Sequence, residues 1–168
     1  NFPLLISAFA SLIKKDPNAR LVLVGEGERE SQLRHFAHRK GVEKEVAFLP
    51  WSNNPMTLIK ESDIFALSSD WEGWARVLVE AMSVGTPVVT TDVGCAGEVL
   101  QDGTHGYVVP VGDLSDFTQK LIDLSQDKDI QAKFRENSLR DYKVAHPNSD
   151  QYAKEWAEVF VKTYHLVN

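Results

Sequence analysis

Five short runs in this chain are apolar or β-branched at every position: Leu21-Val22-Leu23-Val24, Val46-Ala47-Phe48-Leu49, Ile64-Phe65-Ala66-Leu67, Val88-Val89-Thr90-Thr91 and Tyr107-Val108-Val109. A strand with one face in water alternates apolar and polar side chains; runs without alternation read as strands covered on both faces. Helical spacing fills the intervals. Leu4, Leu5, Ala8, Phe9, Leu12 and Ile13 mark one face of a helix over Phe2 to Lys15, with Pro3 suited to its first turn and Asp16-Pro17-Asn18 ending it. Further helices are expected over Arg29–Lys40, Pro55–Ser62 and Ala75–Val84, with a short one over Ala96–Gln101. Three more are expected over Leu114–Ser125, Ile130–Ala145 and Gln151–Leu166. Strands alternating with helices in this way give an α/β fold, a doubly wound parallel sheet with extra C-terminal helices.

In such a sheet the ligand lies beyond the C-terminal ends of the strands. Those ends are Gly25-Glu26-Gly27, Pro50-Trp51, Ser68 to Trp74, Asp92-Val93-Gly94 and Pro110-Val111-Gly112. The third carries the densest chemistry: Glu72-Gly73-Trp74-Ala75-Arg76-Val77-Leu78-Val79-Glu80. A strand, a Gly-containing turn and a helix start make a place where free amides can receive a phosphate or a sugar hydroxyl. Gly73 and Glu80 are seven residues apart, almost two helical turns, so Glu80 stands on the helix face above the turn. The two carboxylates suit the hydroxyls of a sugar or ribose. A competing reading is local, because Glu80 follows Arg76 by four residues and an exposed i,i+4 pair is worth only about 0.3–0.5 kcal/mol.

Other candidates carry less. Gly25-Glu26-Gly27 lacks the third glycine of a dinucleotide fingerprint and reads more readily as a tight turn than as a phosphate loop. Trp51 at a strand end could stack on a base or simply be a loop aromatic. Glu98 follows the Asp92-Val93-Gly94 turn. Cys95 has no His partner nearby and reads as a small buried residue, and His35, His38, His105, His146 and His165 show no zinc spacing. Tyr152, Trp156, Val159, Phe160 and Thr163 form a helical stripe suited to core packing. With 168 residues the chain suffices for one domain. Its net charge of −6 argues against a nucleic-acid partner. One cysteine excludes an intramolecular disulfide, and a reduced, cytoplasmic setting is the simplest reading. Asn1 in place of Met, directly on a helical pattern, suggests part of something longer.

The stretch from Glu72 to Met82 resembles the glutamate–seven–glutamate signature of retaining glycosyltransferases of family 4 (glycosyl transferases group 1), which have the GT-B fold. The flanks agree in order: Leu21 to Gly27, Val46 to Pro50, Asp63 to Ser69, Gly85 to Gly94, Glu98 to Gly103 and Gly106 to Pro110. The likeness covers roughly residues 2 to 125. It implies a Rossmann-like half of a GT-B enzyme, the C-terminal domain that binds the donor. Such an enzyme moves a sugar from a nucleotide diphosphate sugar to a glycan, lipid or other acceptor, with retention and with neither a cofactor nor an obligatory metal.

By the same resemblance Glu72 is the catalytic-site acid that binds donor-sugar hydroxyls. Gly73, Trp74, Ala75 and Val77 offer amides to sugar and diphosphate, and Glu80 holds the ribose. Gly25, Gly27, Pro50 and Trp51 lie along the rest of the donor. Two departures stand out. Trp74-Ala75 replaces the family's Phe-Gly, and no strand followed by an Arg/Lys loop precedes Phe2. The resemblance therefore implies a domain lacking its first strand, with the acceptor bound by a missing N-terminal domain. The fragment alone is expected to be inactive. Peripheral membrane association at the inner face would come only through that missing part. The rival readings are a non-catalytic nucleotide-sugar binding module and a receiver-like signalling domain using Asp70 or Asp92.

Overall fold

The computed structural model describes residues 1–52 and 54–145. In chain order the elements are α1 (Phe2–Leu12), β1 (Leu21–Val24), α2 (Glu30–Lys40), β2 (Val46–Leu49), α3 (Pro55–Glu61), β3 (Phe65–Leu67), α4 (Arg76–Val84), β4 (Val88–Thr91), β5 (Gly106–Val109), α5 (Leu114–Gln126) and α6 (Lys128–Ala145). The expected helix over Gln151–Leu166 and its aromatic stripe lie outside the described residues, as do His146 and His165. No described helix is long and apolar enough to cross a membrane.

Every strand pairing is parallel, and helices α2, α3 and α4 connect β1 to β4, as the alternation predicts, whereas β4 passes to β5 through turns. The strands form two ladders, β1–β2 and β3–β4–β5, with β4 central in the second. The edges of β1 and β3 facing away from their partners have no described strand against them. The start of α1 lies at the end of β3: Ser68 Oγ donates to the Asn1 carbonyl at 2.9 Å, and Asn1 Nδ2 donates to Asp70 at 2.8 Å.

The double winding can be read from adjacent residues of β4. Val88 packs with Ile59 of α3 and with Leu78, Ala81 and Met82 of α4. Val89 belongs to the other core, with Ile6 and Phe9 of α1 and Phe117 and Leu121 of α5. Successive side chains of a strand point to opposite faces, so a strand with both neighbours buried is sandwiched. All four residues of β4 are buried. Gly85 ends α4 at φ 72°, where a Cβ would stand 2.9 Å from Leu139 of α6; only glycine permits that turn and that approach.

Two expectations change. The first ladder is covered on one face only: Leu23 and Val46 join the α1 core, whereas Val22 is 46% exposed and Ala47 and Leu49 are exposed too. The reason is that the second core, built by α3 and α4, reaches β3 and β4 but contains no residue of β1 or β2. The segment Ala96–Gln101 is not a helix. It is a chain of turns closed by a bridge between Ala96 and Leu100, with Gly94 at φ 59° and Gly97 at φ 81°. Two left-handed residues so close together prevent a right-handed helix from forming.

Candidate active site

The chain leaves β3 at Leu67 and turns through Ser68–Ala75 before α4 begins. Glu72 is half-buried in this turn, and Ser69 Oγ donates to its Oε1 at 2.7 Å. Among the described residues Oε2 has no partner, so one carboxylate oxygen is fixed and the other is free to accept from a ligand hydroxyl. Trp71 and Trp74 flank the acid and are exposed, Trp71 at 81%.

Ala75 is the N-cap of α4 and has left-handed geometry, φ 55° and ψ 51°. It is the one described residue other than glycine with positive φ. Such a conformation costs a Cβ-bearing residue about 1–2 kcal/mol. Alanine also has no side chain with which to cap. The amides of Gly73, Trp74, Ala75, Arg76 and Val77 donate to no described residue, and the first bond back is from Leu78 N to the Ala75 carbonyl at 2.9 Å. A helix start with open amides and a positive dipole end is a ready anion site. What holds Ala75 there is the loop after β4. Cys95 N–H donates to the Trp74 carbonyl at 3.0 Å, and Gly94 lies so close that a Cβ on it would meet Ala75 Cβ at 2.6 Å.

Glu80 stands on α4 with 29% of its side chain exposed, and Arg76 Nε donates to its Oε1 at 3.2 Å. The local pair is thus formed, but Arg76 itself is almost wholly in solvent, so it holds Glu80 only weakly. Val77, second in the helix, is half-buried and contributes its amide. Gly25 extends the first ladder, its N–H donating to the Leu49 carbonyl at 3.0 Å with φ 134°. A Cβ on Gly25 or Gly27 would meet nothing within 4 Å, so the space beside that turn is open. Pro50 and Trp51 are exposed at the end of β2, Trp51 at 71%.

Several residues serve the frame instead. Cys95 is buried, its Sγ is 3.9 Å from the Ala75 carbonyl oxygen, and burial pushes its thiol above the ordinary value. It packs; it is not a nucleophile. Among the described residues no three His, Cys, Asp or Glu side chains converge as a metal site would require. His105, buried before β5, accepts from Gln101 N–H at 3.0 Å through Nδ1, so its Nε2 carries the proton that meets Asp141 of α6 at 2.9 Å. Hydrogen bonds from Arg140 and then from His105 pull the Asp141 carboxyl down to about 2. This clamp ties α6 to the turn before β5 and was not visible as a motif. Two hydroxyls at the site likewise belong to no sequence motif. Ser69 bonds Glu72, and Thr91 Oγ1 donates to the Ser69 carbonyl at 2.6 Å. Their only signal in sequence is position, at the ends of adjacent strands.

The profile of the family described as "Glycosyl transferases group 1" matches residues 1–141. The chain is 32% identical over 133 residues to N-acetyl-alpha-D-glucosaminyl L-malate synthase of Bacillus anthracis, covering 79% of this chain and 35% of that protein. It superimposes on HepE of Anabaena, solved in complex with UDP-glucose, with a TM-score of 0.81 and 26% identity, covering 95% of this chain and 44% of HepE. The C-terminal domain of LpcC, a glycosyl transferase group 1 family protein of Francisella tularensis, shares the fold at a TM-score of 0.78 and 24% identity, over 88% of this chain and 80% of that one. The chain thus spans about a third of the length of the curated relatives it matches.

Proposed function

The chain belongs to the glycosyl transferases group 1 family, and from that premise we propose that it is the donor-binding domain of a retaining glycosyltransferase that uses a nucleotide diphosphate sugar. The observation that carries the reading is the start of α4: an uncapped helix with open amides, directly after a carboxylate whose second oxygen is free. The UDP-glucose bound in HepE makes a uridine nucleotide the first donor to try. A cytoplasmic setting is proposed with it. Residues 1–168 form one domain in this reading. The unpartnered edges of β1 and β3, and the small share of the relatives' length, support a larger protein that supplies another strand and the acceptor domain.

Each group then has a task. Glu72 accepts from hydroxyls of the transferred sugar and fixes its orientation. The amides of Gly73 to Val77 and the dipole of α4 hold the diphosphate. Glu80 accepts from the ribose, exchanging its weak bond to Arg76 for ligand hydroxyls. Pro50 and Trp51 line the base, and Gly25 and Gly27 leave the donor room. In transfer, the bond from the anomeric carbon to the diphosphate oxygen breaks and its electron pair leaves on the diphosphate. A new bond forms to an acceptor oxygen, whose proton passes to the departing diphosphate oxygen. The charge growing on the diphosphate is stabilised by amides already aimed at it, which need no reorganisation.

The test is Glu72→Ala in the full-length protein. Orientation lost at the reacting sugar should lower kcat by about two orders of magnitude, while affinity for the free nucleoside diphosphate, measured by calorimetry, stays within about twofold. Near-normal turnover with a nucleotide sugar would remove this turn as the sugar site.

A further inference from the structure

The ladder between β3 and β4 ends at the pair Leu67–Thr90. Beyond it β3 peels away toward Glu72, and its backbone loses the partner that held it straight. Thr91, one residue further along β4, is fully buried, and its hydroxyl continues the contact: Oγ1 lies 2.6 Å from the Ser69 carbonyl and 3.4 Å from that of Leu67. A side chain thus replaces the missing backbone rung. Ser69 is thereby fixed at its carbonyl, and its own hydroxyl donates to Oε1 of Glu72 at 2.7 Å. The far end of the turn is held from the same direction, by Cys95 N–H on the Trp74 carbonyl at 3.0 Å. Glu72 sits between these two anchors.

We propose that Ser69 and Thr91 are positioning residues for the Glu72 carboxylate, Thr91 setting the Ser69 backbone and the Ser69 hydroxyl setting the rotation of the acid so that Oε2 faces the ligand. The proposal rests on the reading of Glu72 as the sugar-orienting acid. Its physical content is the geometry of a glutamate. Three side-chain torsions separate the carboxylate from a fixed backbone, and without a second contact the acid samples several rotamers. One hydrogen bond from a hydroxyl that is itself tied to β4 removes that freedom before the substrate arrives. Pre-organisation of this kind is felt in turnover more than in ground-state nucleotide binding. Ser69 and Thr91 touch no ligand in this scheme; they act through Glu72.

The experiment compares Ser69→Ala, Ser69→Thr, Thr91→Val and Thr91→Ser with Glu72→Ala, all in the full-length protein. Readouts are kcat with UDP-glucose, or with whichever nucleotide sugar the wild type turns over, UDP affinity by calorimetry, and circular dichroism. Ser69→Ala and Thr91→Val should lower kcat about tenfold or more with UDP affinity unchanged. The variants that keep a hydroxyl, Ser69→Thr and Thr91→Ser, should recover most of it. Ser69→Ala added to Glu72→Ala should cost nothing further, because the group it positions is gone. If Glu72→Ala is impaired but Ser69→Ala is not, or if the two losses multiply in the double variant, the positioning role is overturned and the Glu72 reading survives. If Glu72→Ala itself is unimpaired, the underlying reading fails first. Should Thr91→Val unfold, the Ser69 variants alone decide.

Discussion

Gly94→Ala asks whether the loop after β4 truly pins the start of α4. Gly94 has φ 59°, and placing a Cβ-bearing residue there costs about 1–2 kcal/mol. The added Cβ would stand 2.6 Å from Ala75 Cβ, 2.7 Å from the Trp74 carbonyl carbon and 2.8 Å from the Ala75 amide nitrogen. Two of these three atoms are backbone, so no side-chain rotation relieves them, and overpacking of this kind costs about 1–3 kcal/mol. Glycine's lost freedom in the unfolded chain offsets about 0.4–1 kcal/mol. The net is a destabilisation of about 1–4.5 kcal/mol. In a domain of this size that lowers Tm by about 2–18 °C. Urea unfolding followed by circular dichroism measures the free energy, and calorimetry on the folded variant should show weaker nucleoside diphosphate binding, because Trp74 and Ala75 carry the displaced amides. Adding Ala75→Gly removes the 2.6 Å contact and the left-handed alanine but leaves both backbone contacts, so the double variant should recover part of the loss. If Gly94→Ala stays within about 0.5 kcal/mol of wild type and binds nucleotide normally, the loop is not a clamp and the strain argument is wrong.

Glu80→Gln should weaken nucleoside diphosphate binding by about tenfold or more, the loss of a charge-assisted bond to ribose hydroxyls, with an unchanged circular dichroism spectrum. Unaltered affinity would reduce Glu80 to the partner of Arg76 that it is in the free protein. Asp141→Asn tests the His105 clamp through acid stability. The folded carboxyl lies near 2 against an ordinary 3.8, so it contributes stability above about pH 4 that disappears as pH falls toward 2. The variant should therefore be less stable than wild type at neutral pH, and the gap should close on acidification through that window; a gap that is constant from pH 7 to pH 2.5 would contradict the shift.

The fold was legible because its strongest signals are periodic. β4 reads Val-Val-Thr-Thr without alternation, and it is the strand buried on both faces. The same pattern misled in β1 and β2, since β-branched runs report strand propensity as much as burial, and what covers a face depends on helices placed elsewhere in the chain. The stretch Ala96–Gln101 failed for a different reason. Its composition is helical, but the positive φ at Gly94 and Gly97 is set by tertiary contact with Ala75 and by the bridge to Leu100. At the site, Glu72 and the helix start were visible as a spacing. The bonds that orient Glu72 were not, because a Ser at one strand end and a Thr at the next carry no pattern until the ladder's register brings them together.

The capping of the helices separates site from frame more sharply than residue type does. Asn1, Asn54, Asp113 and Asp127 place a side-chain oxygen on the first amides of α1, α3, α5 and α6. A cap of this kind is worth about 1 kcal/mol. α2 and α4 have none: their N-caps are Arg29 and Ala75. These are the two helices that follow Gly25-Glu26-Gly27 and Glu72-Gly73, the two glycine turns read as lining the donor. At α4 the forgone cap is joined by a left-handed alanine, so about 2–3 kcal/mol of local stability is absent where the amides are open. A helix start that only had to fold would accept a Ser or Asp in that place. One that must take an anion cannot, because the capping oxygen would occupy the amides and repel the charge. Gly73→Asp therefore follows as the most direct challenge to the site: Gly73 is exposed and a Cβ there meets nothing within 4 Å, so the acid can be accommodated beside the open amides, and its charge should abolish nucleoside diphosphate binding while the far-UV spectrum stays that of wild type. Retained binding would mean that the anion is held somewhere else.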